Sequence, residues 1–130
     1  MDNDVRAITP RLTRRERTAN LIGRPELELL GPRGYLVNTS RGPIVDEYAL
    51  AAALSDTVIA GAALDVFSVE PLPADHPLRV APNTVLTPHI GYVSVPMYGR
   101  FFGHVVEDVV SWLQGTPVRV LPARSQAPTD

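Results

Sequence analysis

Four short apolar segments of this chain have the length and the residue types of β-strands. Val5–Ile8, Tyr35–Asn38 and Asn83–Thr87 are brief β-prone runs bounded by turn-forming residues. Val58–Phe67 is apolar almost throughout, as expected of a strand that is buried on both faces of a sheet. The pattern therefore predicts strands near residues 5–9, 35–38, 59–66 and 84–87.

Helical signals lie between these segments. Thr13 to Glu16 form a capping box, which predicts a helix running toward Leu21–Ile22 and ending at Gly23. A second short helix would begin at Arg24–Pro25–Glu26, with proline in its first turn, and would stop at Gly31–Pro32. Asp46 can cap a third helix that extends to about Ser55.

The longest predicted helix spans about Val95 to Gln114 and is closed by Gly115. Its apolar residues recur at helical spacing, namely Phe101, Val105, Val109 and Leu113. Strands and helices thus alternate along the chain. This alternation favours the α/β class: a doubly wound parallel sheet of about four strands with crossover helices.

Composition narrows the possible functions. The 130 residues include 12 arginines, no lysine and no cysteine, and the formal net charge is −2. This balance argues against a nucleic-acid partner, and the lack of cysteine excludes disulfides, thiolate metal sites and a cysteine nucleophile. No apolar run reaches the roughly 20 residues of a membrane span, and the acidic start is unlike a signal peptide. We therefore expect a cytoplasmic protein without a membrane or metal site.

The unusual polar residues follow the predicted strands. Thr9 follows the first strand, Arg41 the second, Asp65 and then Glu70 the third, and His89 the fourth. Because parallel strands end at one edge of a sheet, and ligands bind there in open α/β folds, these side chains are expected to converge. Convergence is the main reason to treat them as a site.

These residue types suit one chemistry. Arginine presents a planar fork that binds a carboxylate in a bidentate manner. Histidine titrates near neutrality, and a carboxylate bonded to it fixes its tautomer. The group therefore fits an acid substrate whose hydroxyl or carbonyl exchanges a proton.

Structural alternatives remain open for each residue. Arg41 could be a solvated surface charge, Asp65 could cap a loop, and Glu70 could belong to an ordinary turn. His89 could be a satisfied structural histidine. His76 and His104 have no strand-end context, so we interpret both as structural.

Four sequence blocks, in order and at matching spacing, resemble the D-isomer-specific 2-hydroxyacid dehydrogenases. The resemblance runs from about Asp4 to Leu121, and its blocks are Tyr35–Asp46 (YLVNTSRGPIVD), Ile59–Phe67 (IAGAALDVF), Glu70–Leu78 (EPLPADHPL) and Leu86–Gly91 (LTPHIG). It implies reversible hydride transfer between NAD or NADP and a small 2-hydroxy or 2-oxo acid, in which the cofactor performs the hydride chemistry.

By position in these blocks, the resemblance assigns the catalytic group. Arg41 matches the arginine that holds the substrate carboxylate, His89 the general acid/base, and Glu70 the carboxylate that orients this histidine. The cofactor-facing positions implied by the resemblance are Thr9, Thr39, Ser40, Asp65 and Gly91.

The chain also departs from the family pattern. It contains no Gly-x-Gly-x-x-Gly turn for the cofactor pyrophosphate, so residues 1–121 are expected to form the back half of an NAD(P)-binding domain and residues 122–130 a disordered tail. Thr9 stands where members often have histidine. Thr57 stands where they usually have the glycine of a helix C-cap, so this turn must differ or be strained.

The first strand would lack its usual neighbour and form an exposed edge. This predicts a homo-oligomer, or a complementing chain, that associates through the first strand. We expect the isolated chain to be a weak or inactive enzyme. The alternative is a non-catalytic remnant or interaction module that keeps the fold but binds no nucleotide alone.

Overall fold

The computed structural model describes residues 6–10 and 16–121. The predicted capping box at Thr13, the start of the first strand at Val5 and the predicted tail lie outside the described residues.

A four-stranded parallel sheet confirms the predicted α/β class. Its strands are β1 (Arg6–Ile8), β2 (Gly34–Asn38), β3 (Gly61–Leu64) and β4 (Thr84–Leu86), in the spatial order β1-β2-β3-β4. β3 is shorter than predicted. Ladder bonds need a partner strand, and the neighbours β2 and β4 end beside Leu64.

Two short helices cross between the strands, as predicted. Helix α1 (Arg24–Leu30) begins at Gly23, whose N–H donates to the Glu26 carboxylate at 2.9 Å. Helix α2 (Glu47–Ser55) begins at Asp46, whose side chain accepts from the N–H groups of Tyr48 and Ala49. Both side-chain contacts satisfy N–H groups that have no partner inside the helix.

The predicted helix toward Leu21–Ile22 is wrong for the described residues. A 3₁₀ turn occupies Glu16–Thr18, and Gly23 begins α1 instead of ending a helix. The N–H of Ile22 donates to the Ile44 carbonyl, and the N–H of Asp46 donates to the Ile22 carbonyl. Ile22 therefore lies extended beside Val45. These long-range backbone bonds outweigh the local helical signal.

The core lies on one face of the sheet, where α1 and α2 pack. Its fully buried members include apolar side chains from the strands, helices and loops: Leu27, Leu36, Ile44, Leu50, Leu54 and Leu78. Alternation along β2 and β4 leaves Tyr35 and Val85 exposed on the opposite face. The core thus anchors the strands while their carboxyl ends stay accessible.

The described residues 92–121 belong to a second compact unit. Helix α3 (Val95–Leu113) is capped by Ser94 and followed by Gly115 at φ 75°, close to the predicted bounds. It has no buried residue. Within the described part of the chain, no helix is both long enough and apolar enough to cross a bilayer.

Helix α2 ends in the backbone geometry that its sequence fits poorly. Thr57 has φ 55°, its N–H donates to the Leu54 carbonyl, and the Val58 N–H donates to the Ala53 carbonyl. This pair of bonds is a Schellman motif, which places its left-handed residue at Thr57. The expected strain at this turn is therefore present.

Replacing Thr57 by glycine should stabilise the protein by about 1 kcal/mol, because glycine adopts a left-handed conformation without the cost that a β-branched residue carries there. Urea unfolding measures the change. Ala52→Gly, at an exposed site inside α2, is the control and should destabilise by about 1 kcal/mol. A Thr57→Gly protein less stable than the parent would contradict this account of the turn.

Candidate active site

A closed loop after β2 carries Arg41. Asn38, the last residue of β2, is 1% exposed. Its amide oxygen accepts the N–H of Ser40 at 3.1 Å, and its amide nitrogen donates to the Arg41 carbonyl at 3.0 Å. The buried side chain of Asn38 therefore holds the backbone of both Ser40 and Arg41, and it fixes the position of Arg41 relative to the end of β2.

Gly42 allows this loop to pack directly against the segment that follows β3. A Cβ atom on Gly42 would lie 1.9 Å from the carbonyl carbon of Phe67 and 2.3 Å from the nitrogen of Ser68. Only glycine tolerates so close an approach of two backbones. The peptide between Phe67 and Ser68 is therefore the point at which the loop of Arg41 meets the segment that carries Glu70.

Glu70 and His89 form a bonded pair. Glu70 Oε2 lies 2.8 Å from His89 Nδ1, and Glu70 Oε1 accepts the N–H of Phe67 at 2.9 Å. The hydrogen bond from His89, then that from Phe67, holds the pKa of Glu70 below its ordinary value. An ionised carboxylate only accepts hydrogen bonds, so Nδ1 carries the proton in this contact. Nε2 is then the ring atom that can exchange a proton with a ligand.

Asp65 holds the loop that presents His89. Asp65 is 7% exposed. Its carboxylate accepts from the Thr87 hydroxyl at 2.5 Å and from the N–H groups of Ile90 and Gly91 at 2.9 and 2.8 Å. Burial alone would raise the pKa of Asp65, but these three donors together lower it below the ordinary value. Asp65 is thus an ionised anchor for residues 87–91.

The backbone of this loop is strained where it presents the imidazole. His89 has φ 57°, a left-handed conformation that is uncommon for residues other than glycine. At Gly91, a Cβ atom would lie 2.9 Å from Asp65 Oδ2. Backbone strain at a residue whose side chain lines a cleft is a recurrent feature of functional sites.

Two open clefts flank the pair of Glu70 and His89. One, of about 310 Å³, is lined by Arg41, Glu70 and His89 together with residues 66–68. The other, of about 360 Å³, has a more apolar wall that includes Leu72 and Leu86. The structure therefore brings the three predicted catalytic residues to one cleft.

The predicted cofactor residues divide into two groups. The Asp65 carboxylate accepts the N–H of Gly91, which lies two residues after His89. Thr9 follows the end of β1, and Thr39 and Ser40 follow the end of the neighbouring strand β2. Both threonines are exposed and Ser40 is half-buried, and none of the three lines either cleft. These hydroxyl and backbone groups suit the polar carboxamide end of a nicotinamide. The glycine-rich turn that a pyrophosphate needs does not occur in the sequence.

Sequence reasoning missed two residues that build this site. Asn38 is the last residue of β2 and Thr87 directly follows β4. Each holds a loop through its side chain. A polar residue at the end of an otherwise apolar strand was the available signal. Among the described residues, no group of three or more His, Asp or Glu side chains is arranged to hold a metal ion.

Comparison with known proteins gives one consistent result. Residues 3–91 match the model of the NAD-binding domain of D-isomer specific 2-hydroxyacid dehydrogenases. The glyoxylate/hydroxypyruvate reductase B of Enterobacter agglomerans is 49% identical over 100 residues, which are 77% of this chain and 31% of that reductase. The chain therefore spans about a third of the length of this curated relative.

Solved structures agree with this match. An NADPH-dependent glyoxylate/hydroxypyruvate reductase from Sinorhizobium meliloti, in complex with NADP and malonate, superposes with a TM-score of 0.72 at 35% identity and covers 93% of this chain and 39% of that protein. The NAD complex of a D-isomer specific 2-hydroxyacid dehydrogenase from Lactobacillus delbrueckii gives 0.74 at 28% identity, over 89% of this chain and 39% of that protein.

Asp65→Asn should destabilise the protein by about 1–3 kcal/mol at neutral pH, because an amide NH₂ would face one of the N–H donors that Asp65 now accepts. The lowered pKa also predicts a pH dependence. Stabilisation by Asp65 is complete above its ordinary pKa of 3.8 and is lost as pH falls through the lower folded-state value.

Thermal unfolding between pH 7 and pH 2 measures this dependence. The parent should lose stability on acidification more steeply than Asp65→Asn, and the exposed Asp75→Asn should behave like the parent. Parallel pH curves for the parent and Asp65→Asn would rule out an ionised anchor at this position.

Proposed function

This chain belongs to the D-isomer specific 2-hydroxyacid dehydrogenase family, and from that premise we propose that it supplies the acid/base and carboxylate-binding half of an NAD(P)-dependent oxidoreductase. The proposed reaction interconverts a 2-oxo acid and a 2-hydroxy acid. The observation that carries the proposal is the contact of His89 with Glu70 in a cleft that Arg41 also lines.

His89 is the proposed general acid/base. With Nδ1–H directed at Glu70, Nε2 can give a proton to the substrate oxygen during reduction and take it back during oxidation. Glu70 stabilises the protonated ring and keeps it from rotating. The pair is more than one-third exposed, so its role is orientation more than stability of the fold.

Arg41 is the proposed anchor for the substrate carboxylate. A guanidinium fork binds a carboxylate through two parallel hydrogen bonds, which fixes the orientation of the neighbouring carbonyl. The Sinorhizobium meliloti reductase was solved with malonate, a dicarboxylate, which supports an acid as ligand. Held in this cleft, the acid would place its 2-oxygen near His89.

NAD or NADP, when bound, would supply or accept the hydride. We propose that Thr9, Thr39 and Ser40 contact its nicotinamide end, and that Asp65 and Gly91 complete the wall beside His89. Both oxygens of Asp65 accept bonds from residues 87–91, so its contribution is to hold that wall in place. We propose that residues 1–121 form the back half of the cofactor-binding domain.

The proposed substrates are glyoxylate and hydroxypyruvate, the two acids in the name of the curated relative. Both are small 2-oxo acids that offer the carboxylate and carbonyl for which the cleft is suited.

His89→Asn should lower turnover of hydroxypyruvate with NADPH by at least about 100-fold, because it removes the proton donor while asparagine tolerates the left-handed backbone. Arg41→Lys should raise KM about 10-fold or more, since lysine lacks the planar fork. NADPH absorbance follows the reaction. His104→Asn and Arg100→Lys, both on the exposed helix α3, are matched controls. Because the isolated chain is expected to be weak or inactive, the discriminating results are two others: no saturable NADPH binding by calorimetry, or unchanged turnover in His89→Asn, would favour the non-catalytic alternative.

We also propose that β1 pairs with a strand of another polypeptide, either a second copy or a complementing chain. Among the described strands, β1 pairs only with β2, so its outer edge offers unpaired N–H and carbonyl groups. Sedimentation velocity should show a species larger than one chain, and Ala7→Glu should dissociate it. Ala52→Glu adds the same charge on α2 as a control. A parent chain that stays monomeric at its highest soluble concentration would refute the pairing.

A further inference from the structure

Glu47 and His76 form a buried polar pair that the proposed chemistry does not use. Each is 8% exposed. The other buried polar residues among those that the structure describes, Asn38 and Asp65, already hold the loops of Arg41 and His89. A buried carboxylate is costly unless it is bonded, so its contacts indicate what it does.

Glu47 uses both carboxylate oxygens. Oε1 accepts the N–H of Ser68 at 2.6 Å, and Oε2 lies 3.3 Å from Nε2 of His76. His76 Nδ1 accepts the N–H of Leu78 at 3.3 Å, which requires the proton of the neutral ring to sit on Nε2, directed at Glu47. The first residue of α2 is thereby tied to the segment after β3 at two separate points.

The bond to Ser68 falls at the centre of the active-site scaffold. The Ser68 N–H belongs to the Phe67–Ser68 peptide. Gly42, the residue after Arg41, packs against this peptide. The preceding N–H, that of Phe67, donates to Glu70 Oε1. The consecutive N–H groups of Phe67 and Ser68 thus donate to two different glutamates, Glu70 in the cleft and the buried Glu47.

We propose that Glu47 and His76 are positioning residues for Glu70: Glu47 fixes the Phe67–Ser68 peptide, and His76 holds Glu47 in place. Glu70 in turn reaches His89 from a backbone that cannot shift. The proposal rests on the proposed function only for the catalytic meaning of the Glu70–His89 pair, since the contacts themselves stand without it.

Two variants of His76 separate positioning from general stability. In His76→Asn the amide oxygen takes the place of Nδ1 and can still accept from Leu78, but the link to Glu47 is lost. His76→Gln places an amide nitrogen near the position of Nε2 and keeps that link. Glu47→Gln turns an NH₂ group toward either His76 or Ser68 and breaks one bond. Glu28→Gln, at an exposed glutamate of α1, is the control.

Two NMR measurements give the readout, and neither needs turnover. The Glu70 carboxyl is titrated through its ¹³C signal, and hydrogen exchange is measured at the Ser68 amide. In Glu47→Gln and His76→Asn the pKa of Glu70 should rise toward its ordinary value by about half a unit or more, because its bonds from His89 and Phe67 loosen. Ser68 exchange should accelerate about 10-fold, while Leu36 in the core stays protected.

His76→Gln and Glu28→Gln should match the parent in both measurements. An unchanged Glu70 titration in His76→Asn overturns the proposal, as does uniform acceleration that includes Leu36. If Glu47→Gln does not fold, the two His76 variants decide alone. Unchanged turnover in His89→Asn together with these shifts would refute the proposed reaction and leave the positioning role, whereas loss of turnover in His89→Asn without these shifts would refute the positioning role alone.

Discussion

The close packing of Gly42 on the peptide between Phe67 and Ser68 is the constraint on which the site depends. It leaves no room for a side chain at residue 42, so the loop after β2 and the segment after β3 share one surface. Arg41 precedes the contact and Glu70 follows it, which is why Arg41 and the Glu70–His89 pair line the same cleft. Glu47 accepts the Ser68 N–H from the core side and keeps this peptide in place.

The parallel sheet provides the other half of the arrangement. Its strands end in register, so Asn38, Leu64 and Leu86 lie side by side, and the polar residues after them start from one edge. Asp65 then turns this proximity into a fixed loop, because one buried carboxylate takes three donors from residues 87–91. His89 adopts a left-handed backbone conformation within that loop. The buried side chains of Asn38, Glu47 and Asp65 hold the backbone that carries the exposed groups of the cleft.

The features that sequence reasoning predicted correctly depend on local or repeating signals. Alternating strands and helices predicted the parallel sheet, and Asp46 predicted the start of α2 to the residue. Strand-end placement alone selected Arg41, Glu70 and His89, although their catalytic roles remain proposals. The helix toward Ile22 was wrong because bonds to residues 43–46, distant in sequence, pull that segment into an extended form. Glu47 was not recognised because its partner, the Ser68 N–H, is distant in sequence and only the folded chain brings it near. His76 was interpreted as structural, and in the fold it is a buried residue that contacts Glu47 and Leu78.

The central claim is that Arg41 and His89 bind one 2-oxo acid between them in the presence of NADPH. Oxamate is an unreactive amide with the shape of such an acid, and its titration can be followed at the Arg41 guanidinium and His89 ring signals by NMR. The account predicts that both signals shift and saturate at the same oxamate concentration, while His104 on α3 stays unchanged. Shifts at His89 without Arg41, or no saturable shift at either residue, would contradict it.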